Sequence, residues 1–147
     1  MKHDSLYIIM PAYNEEKNIK ETVERLKESA ASVDYVVIND CSKDRTERIL
    51  KNLGITYISL PVNLGIGGAV QTGYKYGVEN GYDIAIQMDG DGQHDPKYLD
   101  TLIAPIVSGT ADVVIGSRFL KKEGFQDAEI LESGLVNRND NGRYIDR

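Results

Sequence analysis

The two aspartates of the segment Asp89-Gly90-Asp91 follow an apolar run and are the residues best suited to chemistry. Successive residues of a strand face opposite sides, so both carboxylates share one target only if the backbone turns, which Gly90 and Gly92 permit. Adjacent carboxylates repel each other, and a divalent cation relieves that repulsion. Oxygen ligands favour Mg²⁺ or Mn²⁺, which can bridge carboxylates to a diphosphate. The alternative is an acidic turn that only caps the next helix.

Two more polar segments follow apolar runs. Pro11-Ala12-Tyr13-Asn14-Glu15 either lines a ligand site or simply ends a strand and caps a helix. In the second segment, residues 39–46, Asp40 is able to accept a hydrogen bond from a nucleobase N–H. Ser42 to Thr46 equally suit a turn and an N-cap, so both interpretations stay open. Cys41 is interpreted as a small semi-buried residue because no histidine lies near it in sequence.

A glycine-rich segment occupies residues 63–69. It is not a P-loop because no Gly-Lys-Ser/Thr follows, and Val70 replaces the third glycine of the dinucleotide fingerprint. Its glycines allow either close approach of a ligand or close packing of a helix on a sheet, and we favour packing. Arg118 is either a phosphate ligand or a solvated surface group, and His94 is a loop residue unless a metal lies beside it.

The elements that must position these residues alternate along the chain. Strands are predicted at residues 6–10, 35–39, 55–60, 84–88 and 113–115, and helices at about 15–31, 44–53, 69–80 and 97–107. Asn14 is the predicted N-cap of the first helix. The alternation predicts an α/β fold, a mainly parallel sheet with helices on both faces. The polar segments then lie at the carboxyl ends of strands, where open α/β sheets bind ligands.

Composition narrows the class of protein. The chain has 147 residues, which suits one domain, and its formal net charge of −6 argues against binding to a nucleic-acid backbone. A single cysteine excludes an internal disulfide framework and suits a reducing compartment. No apolar stretch approaches the roughly 20 residues that span a bilayer, and no signal peptide is evident. We therefore expect a cytoplasmic globular chain.

In combination and in this order, the polar segments between residues 6 and 119 resemble those of inverting family 2 glycosyltransferases of the GT-A fold. The resemblance is strongest to the polyprenyl-phosphate sugar transferases of the dolichol-phosphate-mannose type. It implies a Rossmann-like sheet forming the N-terminal half of the family fold. It also implies transfer of a sugar, with inversion, from a GDP- or UDP-linked donor to an acceptor such as a polyprenyl phosphate, at the inner face of the membrane.

The resemblance also assigns roles. Pro11, Tyr13, Asn14 and Glu15 are expected to line the nucleotide pocket, and Asp40 to contact the base. The expected ligands of Mg²⁺ or Mn²⁺ are Asp89, Asp91 and Gln93, the two aspartates also holding the donor diphosphate. Asp91 and Arg118 are the expected catalytic residues, the arginine meeting a phosphate.

Two departures from the family pattern matter. Asn39 stands where the family usually has a first aspartate. Beyond Phe119 nothing aligns, so residues 1–120 are predicted to be the nucleotide-sugar-binding domain and 121–147 an irregular tail. This suggests a truncated or frameshifted product that self-associates. The alternative function is a donor-binding remnant without transferase activity. A sugar-phosphate nucleotidyltransferase ranks last, because no glycine-rich basic loop follows the first strand.

Overall fold

A six-stranded sheet with helices packed on it forms the fold. The computed structural model describes residues 5–90 and 98–116 and the backbone of 135–138. The strands are β1 (Leu6–Ala12), β2 (Asp34–Asn39), β3 (Tyr57–Ser59), β4 (Ile84–Gln87), β5 (Val113–Ile115) and β6 (Leu135–Arg138). The helices are α1 (Ile19–Ser29), α2 (Thr46–Leu53), α3 (Gly65–Glu79) and α4 (Leu99–Val107).

The strand order is β3-β2-β1-β4-β6-β5. β1 pairs in parallel with β2 and β4, and β2 pairs in parallel with β3. β6 lies antiparallel between β4 and β5. The predicted, mainly parallel sheet is therefore confirmed. Because the chain order reverses beside β1, the carboxyl ends of β1, β2 and β4 flank the crevice in which such sheets bind ligands.

The two faces of β1 belong to two apolar cores. Ile8 and Met10 face a core shared with α1, α2 and α4, whereas Tyr7 and Ile9 face a second core containing Ala69 of α3. This alternation is the period of two that a strand imposes on its side chains. The four side chains from Tyr7 to Met10 are at most 2% exposed, so the helices cover both faces of the sheet as predicted.

α3 packs closely on the sheet at Gly73 and Gly77, which lie beyond the glycine-rich segment of residues 63–69. A Cβ atom on Gly73 would overlap the side chain of Ile9, and one on Gly77 would overlap that of Tyr7. Gly67, in contrast, faces open space. The packing hypothesis, which concerned the glycines of residues 63–69, is therefore wrong for Gly65 and Gly67, both of which face open space, and Gly68 meets Leu64 rather than the sheet.

The start of α1 corrects the sequence prediction. Asn14 is not its N-cap: α1 begins at Ile19 after Asn18, and Asn14 has a left-handed backbone with φ of 55°. The Glu15 carbonyl accepts the N–H groups of Asn18 and Ile19 in a separate turn. Residues 14–16 make hydrogen bonds to the loop after β2 and to Thr46, the first residue of α2, instead of continuing the helix.

β6 is the second correction. The tail was predicted to be irregular, yet Leu135–Arg138 forms a strand that pairs on both sides. Its sequence lacks a clear alternation, so the hydrogen-bonding edges of β4 and β5 rather than local propensity account for it. The rest of residues 121–147 lies outside the described part of the chain.

Candidate functional site

A cleft of about 360 Å³ opens at the carboxyl ends of β1, β2 and β4. Five residues singled out from the sequence line it: Pro11, Tyr13, Glu15, Asp40 and Asp89. The first turn of α3 forms another wall through Gly65 and Ile66. Residues from three separate segments thus meet in one place, as expected if they bind one ligand.

Asp40 lies between β1 and α3 and is held there by two hydrogen bonds. Its backbone N–H donates to the Ala12 carbonyl at 2.9 Å, which continues the pairing of β1 with β2. Its carboxylate oxygen Oδ1 accepts the N–H of Leu64 at 2.7 Å. The residue is only 3% exposed and still borders the cleft. Asp40 is therefore rigidly placed to accept a hydrogen bond from a ligand.

Asn14 is not among the described residues that line the cleft. Its side-chain Oδ1 accepts the N–H of Lys43 at 2.8 Å, and its own N–H donates to Ser42 Oγ at 3.0 Å. It therefore joins the loop after β1 to the loop after β2. Contact of Asn14 with a nucleotide remains a prediction, whereas its hydrogen bonds between the two loops are observed.

Asp89 lines the same cleft two residues after the end of β4. Gln87 Nε2 donates a long hydrogen bond of 3.5 Å to Asp89 Oδ1. The next residue, Gly90, is buried, and its N–H donates to the Pro11 carbonyl at 3.2 Å. A Cβ at this position would lie 3.1 Å from that carbonyl oxygen, which is tight. Glycine therefore lets the end of β4 pack against the end of β1, with Asp89 at the cleft.

The rest of the predicted metal and phosphate ligands, Asp91, Gln93 and Arg118, lie outside the described residues, as does His94. Within residues 5–90 and 98–116, no three histidine, cysteine, aspartate or glutamate side chains gather as a metal site would require. Asp89 places one carboxylate at the cleft, and its role as a metal ligand is a prediction like that of the rest of the set.

Asn39 has a structural role. It is 1% exposed, its Nδ2 donates to Ser59 Oγ at 3.0 Å, and its Oδ1 accepts the N–H of Ser42 at 3.2 Å. Ser59 Oγ in turn donates to Glu47 Oε1. An aspartate here would lack the N–H donor that Ser59 accepts, which explains how asparagine fits this chain.

The sequence left open whether Ser42 to Thr46 build only a turn and an N-cap, and all five of these residues make hydrogen bonds to residues 14–16. Asp44 Oδ1 accepts the N–H and the hydroxyl of Thr46, at 2.9 and 2.6 Å, and Oδ2 accepts the N–H of Glu16 at 3.1 Å. Burial alone would raise the pKa of Asp44, but the hydrogen bonds from Thr46 and Glu16 outweigh it and lower that pKa. No periodic signal in the sequence reveals contacts between distant loops.

The chain resembles enzymes that use lipid phosphates. It is 35% identical over 144 residues to the UDP-N-acetylglucosamine–dolichyl-phosphate N-acetylglucosaminyltransferase of Methanococcus voltae, covering 86% of this chain and 57% of that protein. It is 36% identical over 115 residues to the undecaprenyl-phosphate mannosyltransferase of Micrococcus luteus, covering 75% and 46%. The chain thus spans about half the length of the relatives it matches.

Solved structures show the same fold. Glucosyl-3-phosphoglycerate synthase from Mycobacterium tuberculosis, in complex with phosphoglyceric acid, superposes with a TM-score of 0.61 at 22% identity, over 75% of this chain and 42% of that one. The S. aureus TarS 1–349 structure with UDP gives a TM-score of 0.61 at 25% identity, over 74% and 34%. These matches confirm the expected GT-A fold.

Among the described residues, no helix combines the length and apolarity needed to cross a membrane. The sequence profile described as "Glycosyl transferase family 2" matches residues 7–143, which is most of the chain. The match extends past Phe119 and includes β6, so the expectation that nothing beyond Phe119 aligns with the family is wrong. The chain therefore belongs to glycosyl transferase family 2.

Proposed function

We propose that the cleft binds the nucleoside diphosphate of a nucleotide-sugar donor. The chain would then carry the donor site of an enzyme that transfers the sugar, with inversion, to an acceptor such as a polyprenyl phosphate. The observation that carries this proposal is the placement of Asp40 and Asp89 on one cleft at the carboxyl ends of β2 and β4. Family membership supports the reaction type.

The base would occupy the Asp40 side of the cleft. A buried carboxylate held by the Leu64 N–H has little freedom to reorient, so it selects a ligand that offers an N–H at that point. Tyr13 is 43% exposed at the same cleft and presents an aromatic ring beside this position. Stacking of a base on an aromatic ring suits any nucleobase. Asp40 would therefore orient the base, and Tyr13 would cover it.

The diphosphate would occupy the Asp89 side, together with Mg²⁺ or Mn²⁺. The carboxylate of Asp89 at the cleft fits such a hard cation, and Asp91 and Gln93 would complete the ligand set. When bound, the cation supplies neutralisation of the charge on the leaving diphosphate. Arg118 would add a second positive charge through hydrogen bonds to a phosphate.

The acceptor is proposed from the relatives, two of which are named for dolichyl-phosphate and undecaprenyl-phosphate acceptors. A phosphate acceptor is already anionic, so it needs less help from a general base than a hydroxyl acceptor does. The described residues around the cleft would then need only to bind and orient the donor. With a lipid-linked acceptor, the enzyme would work at a membrane surface.

Calorimetric titration of the chain with UDP and with GDP, each with and without Mn²⁺, tests the donor site. We expect metal-dependent binding of one nucleotide, at least tenfold weaker in Asp89→Ala, because a carboxylate ligand is lost. Asp100→Ala is the matched control, since Asp100 is exposed in the first turn of α4 away from the cleft lining.

Absence of binding by either nucleotide would overturn the proposed function. Equal binding by the wild-type chain and Asp89→Ala would overturn the role of Asp89. Transfer assays with a polyprenyl phosphate follow where binding is seen. Binding without transfer would favour the alternative of a donor-binding remnant.

A further inference from the structure

Two loops carry the residues proposed to bind the base. The first loop, residues 13–18, contains Tyr13 and Glu15, and the second loop, residues 40–45, contains Asp40. Nothing in the parallel pairing of β1 with β2 fixes how the loops lie beyond the strand ends. Their relative position must therefore be set by contacts of their own.

Thr46 makes the first of these contacts. It is 0% exposed, and its hydroxyl accepts the Glu15 N–H at 2.8 Å while donating to Asp44 Oδ1 at 2.6 Å. The Glu15 amide has no acceptor in its own loop among the described residues. The Thr46 hydroxyl thus joins the first loop to the second through a buried side chain.

Asp44 makes the second contact. Its other oxygen, Oδ2, accepts the N–H of Glu16 at 3.1 Å. Two successive amides of the first loop, those of Glu15 and Glu16, are therefore bound by side chains that follow β2. A charged carboxylate is a stronger hydrogen-bond acceptor than a neutral group, which suits a contact that must hold geometry.

We propose that Thr46 and Asp44 are positioning residues that set nucleotide affinity by holding Tyr13 and Glu15 at a fixed distance from Asp40. Neither side chain is among the described residues lining the cleft, so both act through the first loop. The inference rests on the proposed function, because it requires nucleotide to bind in that cleft. Hydrogen bonds of Asn14 and Glu16 also hold the first loop, so loss of the Thr46 and Asp44 contacts loosens it without freeing it. Nucleotide binding must then order the loop, which weakens affinity.

Thr46→Val tests the proposal because valine keeps the shape of threonine and removes the hydroxyl. We expect the Kd for the nucleotide that the wild-type chain binds, UDP or GDP, to rise roughly tenfold. Thr46→Ser restores the hydroxyl and should return the Kd to within about twofold of the wild-type value. In the free protein, hydrogen exchange at the Glu15 amide should accelerate in Thr46→Val and recover in Thr46→Ser.

Tyr7→Phe is the control for a purely structural effect. Its hydroxyl makes a buried hydrogen bond of 2.8 Å to the Gly73 carbonyl, at the opposite end of β1 from the cleft. Its loss should lower stability and leave the Kd unchanged. Asp44→Asn is a second variant, at a half-buried position, and should weaken binding in the same direction even if Thr46→Val does not fold.

The outcomes separate the two proposals. If the wild-type chain binds nucleotide and Thr46→Val and Asp44→Asn bind it equally well, the positioning role is overturned and the donor site stands. The same holds if Tyr7→Phe weakens binding as much as Thr46→Val does. If the wild-type chain binds neither UDP nor GDP, the proposed function fails and the positioning role fails with it.

Discussion

At the scale of single residues, two tyrosine hydroxyls near α3 differ in their hydrogen bonding. Tyr7 donates to the Gly73 carbonyl, whereas Tyr74 is the one buried side-chain polar group in the described part of the chain without a partner. Burial also raises the pKa of Tyr74. A desolvated, unpaired hydroxyl costs free energy that a hydrogen-bonded one does not.

Phenylalanine substitutions at the two positions should therefore differ in their effect on the free energy of unfolding. We expect Tyr74→Phe to leave the free energy of unfolding unchanged or to raise it by up to ~1 kcal/mol, and Tyr7→Phe to lower it by about 1 kcal/mol. Urea titrations of the two variants at one pH measure both values. If Tyr74→Phe were the more destabilised variant, its hydroxyl would have to bind a group or a water molecule.

At the scale of elements, substitutions of the glycines of α3 distinguish the effect of helix propensity on the free energy of unfolding from the effect of packing. Gly67 faces open space in the first turn, so Gly67→Ala should raise the free energy of unfolding by about 0.5–1 kcal/mol through helix propensity. Gly73→Ala gains the same propensity but places a Cβ against Ile9, so we expect a net loss of about 1–3 kcal/mol. Thermal unfolding of both variants measures the difference.

A stabilising Gly73→Ala would contradict this packing of α3 on β1. Gly77→Ala supplies an independent check, because its Cβ would meet Tyr7 rather than Ile9. If both variants unfold at lower temperature than the wild-type chain and Gly67→Ala does not, the close approach of α3 to the sheet is the cause.

The positions of the strands are the part of the fold that the sequence predicts well. Each strand through β5 lies within, or within two residues of, its predicted position, since a short apolar run bounded by turn residues is a local signal. The start of α1 was missed because residues 14–16 make hydrogen bonds to residues 28 or more positions away. β6 was missed because its pairing partners are both distant in sequence.

The candidate site shows the same contrast between local signals, which the sequence reveals, and contacts between distant residues, which it does not. Polar residues directly after strands, such as Asp40 and Asp89, were found because the carboxyl ends of parallel strands are where such sheets bind ligands. The contacts of Thr46 and Asp44 that hold the first loop were not found. They depend on how two loops meet in space, which no spacing in the sequence reports.

At the scale of the whole molecule, one edge of the sheet exposes apolar side chains. In the described residues β5 pairs only with β6 and forms the end of the sheet. Val113 and Ile115, two residues apart and hence on one face, are 49% and 63% exposed, and Val107 at the end of α4 is 55% exposed. An exposed apolar edge strand is a template for pairing with another chain.

We therefore expect the chain to self-associate through β5. The sequence predicts self-association without indicating which surface carries it. Light scattering coupled to size-exclusion chromatography should give a mass that rises with concentration, and Ile115→Lys should lower it toward that of a monomer. Lysine on an edge strand opposes pairing by placing a desolvated charge at the contact.

Val62→Lys is the matched control, because Val62 is similarly exposed, at 57%, but lies next to the cleft and away from β5. A monomer at every concentration would show that these side chains are covered within one chain, and an equal effect of both lysines would assign the association to general hydrophobicity rather than to the β5 edge.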